Sequence, residues 1–239
     1  EMCIRDRREI ARARRRFGLD DAVPVVSCYE AGRDGFWLHR FLSSEPGRHN
    51  LVVDSASIEV NRRKRRRKTD RIDVRKLLTM LMRYHNGEAR VWSVVHVPSP
   101  EAEDARHLHR ELQTLKTDRT RLTNRIKGLL AAQGLSVGSL GPGFVDALGE
   151  LQLWDGSALP PQLRERLERE WQHRNRIDER IRLIERLQTE QLADPSDPAL
   201  RMVRQLMSLK GIGLHSAWLF TFELFAWRRI QNRKQLAAL

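Results

Sequence analysis

Residues 23–55 read "VPVVSCYEAGRDGFWLHRFLSSEPGRHNLVVDS". "VPVVSCYE" is a short, β-branched apolar run that predicts a buried strand with a carboxylate, Glu30, at its C-terminal end. "AGRDGFWLHRFLSSEPG" predicts a turn and then an amphipathic helix with Phe36, Trp37, Phe41 and Leu42 on its apolar side. "NLVVDS" predicts a second strand. Strand, helix, strand with apolar runs in both strands is the signature of a parallel βαβ unit. This stretch therefore sets the fold class as α/β in the first part of the chain.

Outward from it the charge changes. Upstream, "RREIARARRRFG" (Arg7–Gly18) is basic and helix-favouring, with Gly18 as its stop. Downstream, Arg62, Arg63, Lys64, Arg65, Arg66, Arg67 and Lys68 form an unbroken basic run. "TDRIDVRKLLTMLMRYHNG" follows, a helix with Thr69 or Asp70 as N-cap and Asn86-Gly87 as its end. "VWSVVHVP" (91–98) predicts a third strand.

At Pro98 the pattern becomes helical. Leu108, Leu112, Leu115, Leu122, Ile126 and Leu129 fall at heptad spacing, with the seam interrupted at Arg119. A Gly- and Pro-bearing break, "SVGSLGPGF", precedes a second long charged helix carrying Leu163, Leu167, Trp171, Ile177, Ile181 and Ile184. The two helices suit an antiparallel hairpin or pairing with a second chain. After the "ADPSDP" linker, residues 199–227 predict helix, Gly-Ile-Gly turn and helix.

The 239 residues carry 44 Lys and Arg against 31 Asp and Glu, a formal net charge of +13. That excess points to a polyanion, most simply nucleic acid. No apolar run reaches the roughly 20 residues of a membrane span, and no signal peptide is visible, so a cytoplasmic, nucleoid-associated protein without a membrane partner is expected. Cys3 and Cys28 lack a CxxC or Cys/His neighbourhood, which argues against zinc and for a reduced setting. Cys28 fits a small core residue of a strand. The histidines His39, His107, His109 and His173 lack ligand spacing and are expected at the surface. The first seven residues, "EMCIRDR", back-translate to codons resembling a transposon-end sequencing adaptor, so residues 1–7 are set aside as an artefact.

Asp70 and Asp73 lie three apart on the expected helix, so their Cβ atoms share one face about 5–6 Å apart. Two such carboxylates repel unless a cation lies between them. A divalent ion with a taste for oxygen ligands, Mg²⁺ above all, would suit them, with Glu30 as a third ligand if strand and helix pack. The plain alternative is a solvated helix start, where acids also suit the helix dipole. The basic run is either a solvated block or a grip on a phosphate backbone. "LKGIGLHSA" is either a tight packing turn or a helix-hairpin-helix turn, in which Gly211 and Gly213 would bring backbone amides to a phosphate. Asp54 suits a capping or turn role at a strand end.

The serial order "YEAGRDGFWLHRFL", "VVDSASIEV", "RRKTDRIDVRKLL", "LHRELQTLKTDRTRLTNRIKGLLAAQGL" and "LMSLKGIGLHSAWLFTFEL" resembles the DEDD transposases of the insertion-sequence one-ten family across residues 8–239. The resemblance implies a partial RNase H-like (RuvC-like) domain at 8–97, a helical coiled-coil hairpin at 98–194 and the start of a helical C-terminal transposase domain at 195–239. By position it places the family's second acid on Glu30 and its third and fourth on Asp70 and Asp73. It puts the first acid upstream of Arg7 and a serine nucleophile beyond Leu239. On that reading the chain is truncated at both ends and inactive alone. It also implies Mg²⁺, DNA strand exchange at an insertion element, a guide (bridge) RNA, and a dimer or tetramer formed through the coiled coil. The competing readings are a junction-resolvase-like nuclease and a non-enzymatic nucleic-acid-binding coiled-coil protein.

If the basic run grips phosphates, replacing Arg62–Lys68 with Ser lowers the slope of log K against log salt by about 0.9 for each phosphate no longer neutralised on duplex DNA. Fluorescence anisotropy across a salt series measures it, and an unchanged slope makes the run a bystander.

Overall fold

The computed structural model describes residues 2–32, 35–58, 70–228, 230 and 232–237; of residues 2–6, 70–72 and 237 the backbone alone is described. The chain divides into two compact units, Glu1–Val97 and Pro98–Leu239.

The first unit opens with helix α1 (Met2–Phe17), which runs through the residues set aside as an artefact. Strand β1 (Val25–Glu30), helix α2 (Trp37–Ser43) and strand β2 (Arg48–Val53) follow, and then helix α3 (Asp70–His85). β1 and β2 pair in parallel, from Val25 opposite Arg48 to Glu30 opposite Val53, with α2 as the crossover. Alternation along the strands gives the sheet two different faces. On the α2 side, His39 Nδ1 lies 3.0 Å from Asn50 Oδ1, and Asn50 Nδ2 donates to Ser27 Oγ at 2.8 Å. Asn50 is thus buried yet satisfied. On the other side Val26, Cys28, Leu51 and Val53 pack with Leu77, Met80, Leu81 and Tyr84 of α3 and with Val91 and Trp92. Burial there pushes the Cys28 thiol pKa up.

The expected third strand is reduced to one antiparallel bridge, Val53 with Val94. It is flanked by hydrogen bonds from Asp54 N to Ser93 O and from Val95 N to Val52 O. The reason is packing: Val91 and Trp92 turn into the core, Trp92 against Tyr84, so little chain is left to lie along the sheet edge before Pro98. Helix α3 stops at its Asn86-Gly87 signal, where Gly87 takes φ 98°.

The second unit is helical. It comprises α4 (Pro100–Asp104), α5 (His107–Ala131), α6 (Phe144–Glu150), α7 (Pro161–Gln191), α8 (Pro198–Met207), α9 (Leu214–Leu219) and α10 (Arg233–Ala237). Cross-pairs Glu111–Arg180, Arg119–Asp178 and Arg125–Glu170 fix α5 and α7 as antiparallel partners within one chain. Leu112, Leu115, Leu122 and Ile177, Ile181, Ile184 close the seam. Its interruption at Arg119 is a polar layer: Asp178 takes Arg119 at 3.3 Å on one oxygen and Arg174 at 3.0 Å on the other. Arg174 also donates to Thr123 Oγ1 at 3.2 Å and stacks over Trp171.

The Gly- and Pro-bearing break is more than a linker. It folds α6 across the far end of the hairpin, burying Phe144 against Trp171 and Leu148 against the Ile126–Leu130 turn. At the other end Leu200, Val203, Ala217, Trp218 and Phe222 pack α8 on α9. Asp197 caps α8 by accepting from Ala199 N at 2.7 Å, and Gly211 makes the turn at φ 92°. Beyond α9 the chain continues as a π-helical turn, Phe220–Phe225.

His109 is a correction. Expected at the surface, it is buried, with its ring centroid 5.0 Å from that of His215. Its place on α5, three residues before Leu112, puts it on the seam side, which the heptad pattern of leucines does not mark.

Replacing Asp178 with Ala leaves two guanidiniums facing each other across the seam. The layer is partly shielded from water, so the destabilisation should be about 2 kcal/mol, between an exposed pair and a buried one. A shift in the urea midpoint at constant slope measures it.

Burial, and then the neighbouring His215, hold the His109 pKa below the ordinary histidine value of about 6.5. The unfolded chain therefore takes up the proton first as pH falls. Stability is full above about pH 6.5 and declines below it, by at most about 1.4 kcal/mol per pH unit for each histidine. Urea unfolding at pH 7.5 and 5.5 should show the decline, and His109→Gln should flatten it.

Candidate metal and nucleic-acid site

The parallel pairing decides where the first acid lies. Glu30 is the last residue of β1, exposed, and in register with the fully buried Val53. Alternation puts it on the face of Val26 and Cys28, the face that α3 covers. The carboxyl ends of the two strands are stitched together. Ala31 N donates to Val53 O at 2.8 Å, and Ser55 Oγ donates to Ala31 O at 2.8 Å. Ser55 and Ser57, which no sequence motif singles out, hold this rim with their short hydroxyls; Ser57 Oγ also accepts from Ser93 N at 2.9 Å. A run of small polar residues after a strand is the only signal of them in the sequence. In open parallel sheets the crevice outside the carboxyl ends of strands is where ligands bind.

Helix α3 supplies the other acids. Leu77, Met80 and Tyr84 form its sheet-facing stripe. Asp73 precedes Leu77 by four residues and Asp70 precedes Asp73 by three, so both continue that stripe toward the helix start. Asp73 is half-buried. Neither Glu30 nor Asp73 forms a salt bridge with a described residue. The contrast within the unit is clear: Glu45 holds Arg7 at 2.5 Å and Arg48 at 3.6 Å, and Glu88 holds Arg83.

Glu30 thus belongs by alternation to the sheet face that α3 covers, and Asp73 by helical spacing to the stripe of α3 that packs on that face. The structure does not join them into a closed cage: among the described residues no group of three His, Cys, Asp or Glu is arranged to hold a metal. The Asp70 carboxylate and the whole basic run Arg62–Lys68 lie outside the described side chains. Asp54 takes the turn role expected of it, accepting from Ala56 N at 3.0 Å at the head of a short 3₁₀ turn.

Gly211 and Gly213 belong to the second unit. Gly213 precedes α9 in extended conformation, and no heavy atom lies within 4 Å of where a Cβ would stand at either glycine. The backbone there is open to close approach. Among the described residues no helix is long and apolar enough to cross a membrane.

No protein-family model matches the chain. It is 39% identical over 226 residues to a protein of Sinorhizobium fredii (strain NBRC 101917 / NGR234) named "Putative transposase y4rJ". The match covers 90% of this chain and 56% of that protein, so the chain spans little more than half the length of its relative. The likeness therefore runs through both units and includes the rim of β1, the start of α3 and the α5–α7 hairpin.

Proposed function

We propose that the chain is part of a DEDD-type DNA transposase of the insertion-sequence one-ten family, acting on DNA through a divalent metal held at the rim of β1. The likeness to a protein named "Putative transposase" supports the transposase part of this reading, because it extends along nearly the whole chain; the subtype rests on the serial order of motifs quoted above. The site chemistry supports it. The donor set is oxygen only, which suits Mg²⁺. Glu30 and Asp73 make no salt bridge with a described residue, in a chain with a net charge of +13.

In this reading Glu30, Asp70 and Asp73 would hold the metal, which supplies Lewis-acid polarisation of a phosphoryl oxygen when bound. Arg62–Lys68 would position the phosphate backbone beside it. The open backbone at Gly211 and Gly213 would meet a second stretch of phosphate, DNA or a guide RNA. The apolar seam of the α5–α7 hairpin is closed within one chain. A dimer or tetramer would therefore form through the hairpin's outer side, where Leu183 and Leu187 stand exposed.

Iron-directed cleavage tests the site. Fe²⁺ substitutes for Mg²⁺ at carboxylate sites; added hydrogen peroxide oxidises it to Fe³⁺ with release of hydroxide and a hydroxyl radical that cuts whatever lies near the metal, and ascorbate returns the iron to Fe²⁺. Cuts are expected in the polypeptide near residues 30 and 70–73, and in a bound, end-labelled DNA duplex. Excess Mg²⁺ should suppress them. Glu30→Gln and Asp73→Asn should each abolish both sets of cuts. Neither residue makes a described salt bridge, so each change should leave stability within about 0.5 kcal/mol. Cuts elsewhere, or cuts that survive both substitutions, would overturn the reading.

A further inference from the structure

Helix α1 carries two arginine stripes with different fates. Arg7 and Arg14, seven residues apart, face the rest of their unit. Arg7 bonds Glu45 at 2.5 Å and lies over the Phe41 ring. Arg14 donates to Val23 O at 2.9 Å and pairs with Asp21 at 3.3 Å, its side chain 17% exposed. Arg8, Arg12 and Arg15 fall at spacings of four and three, on one stripe turned about 100° away. All three are exposed. Arg8 and Arg15 have no partner among the described residues. Arg12 meets only Glu9, at 3.9 Å with both side chains exposed, a pair of little worth.

This stripe opposes the helix that bears it. Like charges three and four apart repel by a few tenths of a kcal/mol per pair. The dipole of the helix favours cations in its last turn, which accounts for Arg14, Arg15 and Arg16 but not for Arg8 and Arg12. Beyond the weak Arg12–Glu9 pair nothing described in the unit offsets the repulsion, so an external anion is the natural partner. Arg14, outside the seven residues set aside above, ties α1 to the turn after it while leaving the stripe facing out. Arg8 to Arg15 spans about 10 Å along the helix axis, and phosphates of one duplex strand recur about every 3.4 Å of duplex axis. A membrane-surface helix would need a broad apolar face beside the cations. Here the residue within the stripe's arc is Ala11, and the one large exposed apolar side chain at the helix end is Phe17.

We propose that α1 is a second phosphate-backbone contact for duplex nucleic acid, made by Arg8, Arg12 and Arg15 and separate from the basic run at 62–68. The inference rests on the nucleic-acid part of the reading above and is independent of its metal site.

The test is anisotropy titration of a labelled 30-base-pair duplex with the full chain, in EDTA, across a KCl series. The triple variant Arg8→Gln/Arg12→Gln/Arg15→Gln should lower the slope of log K against log salt by about 2.7, about 0.9 for each phosphate contact. Glutamine keeps helix propensity, so circular dichroism should be unchanged. The matching triple lysine variant should keep most of the slope. A control that removes equal charge from α7, Arg166→Gln/Arg176→Gln/Arg182→Gln, should leave the slope nearly unaltered. Duplex DNA and duplex RNA should both show the reduced slope, since the contact is to the backbone. An unchanged slope in the α1 variant, an equal drop in the α7 control, or loss of binding to anionic phosphatidylserine vesicles with duplex binding intact would overturn the proposal. Failure of the unaltered chain to bind any duplex would overturn it together with the nucleic-acid reading. Failure of the iron cuts alone would leave it standing.

Discussion

Carboxylates are the scarce charge in this chain, and the fold is organised by where they are committed. In the second unit Asp178 sits between Arg119 and Arg174, Glu170 holds Arg125, Glu111 holds Arg180, and Glu223 takes both nitrogens of a bidentate pair from Arg110. These pairs run between α5 and its partners, so they set register as well as offset repulsion among the arginines. Other acids accept from backbone amides at turns and helix starts: Asp54, Asp155, Asp194 and Asp197. Within the first unit, where Glu45 and Glu88 hold arginines and Asp54 caps a turn, Glu30 and Asp73 make no salt bridge with a described residue.

Much of the fold was legible because it depends on local period. β-branched apolar runs marked β1 and β2, and the residues 31–47 between them sufficed for a crossover helix, so the parallel order followed. The heptad spacing marked α5 down to its interruption at Arg119, which became the polar layer. What escaped depends on tertiary competition. The run 91–98 has strand composition, yet the core draws in Val91 and Trp92 and leaves a single bridge. His109 reads as polar, yet it lies on the buried side of α5 beside His215. The break at 136–143 reads as a linker, yet the helix after it closes the hairpin's end through Phe144 and Leu148. Whether α5 would pair with α7 or with a second chain was open in the sequence, because both partners offer the same apolar stripe.

The candidate site was legible in the same partial way. The face of Glu30 follows from alternation with Val26 and Cys28, and the stripe of Asp70 and Asp73 follows from helical spacing with Leu77. What neither pattern shows is that α3 packs on this face of the sheet, because some forty residues and a crossover separate them; that is a long-range consequence of Leu77, Met80 and Leu81 covering one side of a two-stranded sheet. The hydroxyl stitching of the rim by Ser55 and Ser57 is likewise invisible in one dimension: serine after a strand says turn, not which backbone oxygen it will meet.

The arginines of this chain constrain how it could recognise a target. A guanidinium on a phosphate fixes register and orientation but carries no base identity. A protein relying on such contacts binds many sequences alike and loses affinity steeply with salt. Selecting one site then demands a source of sequence information other than the arginines of α1. Within the described residues of the first unit, the rim of β1 offers carboxylates and short hydroxyls, acceptors suited to a metal rather than a base-reading helix seated in a groove. Base pairing by a second nucleic acid supplies such information without requiring any side chain to read a base. On the proposed phosphate contacts of α1, a guide strand would therefore suit such a surface, because base pairing needs no side chain to read a base.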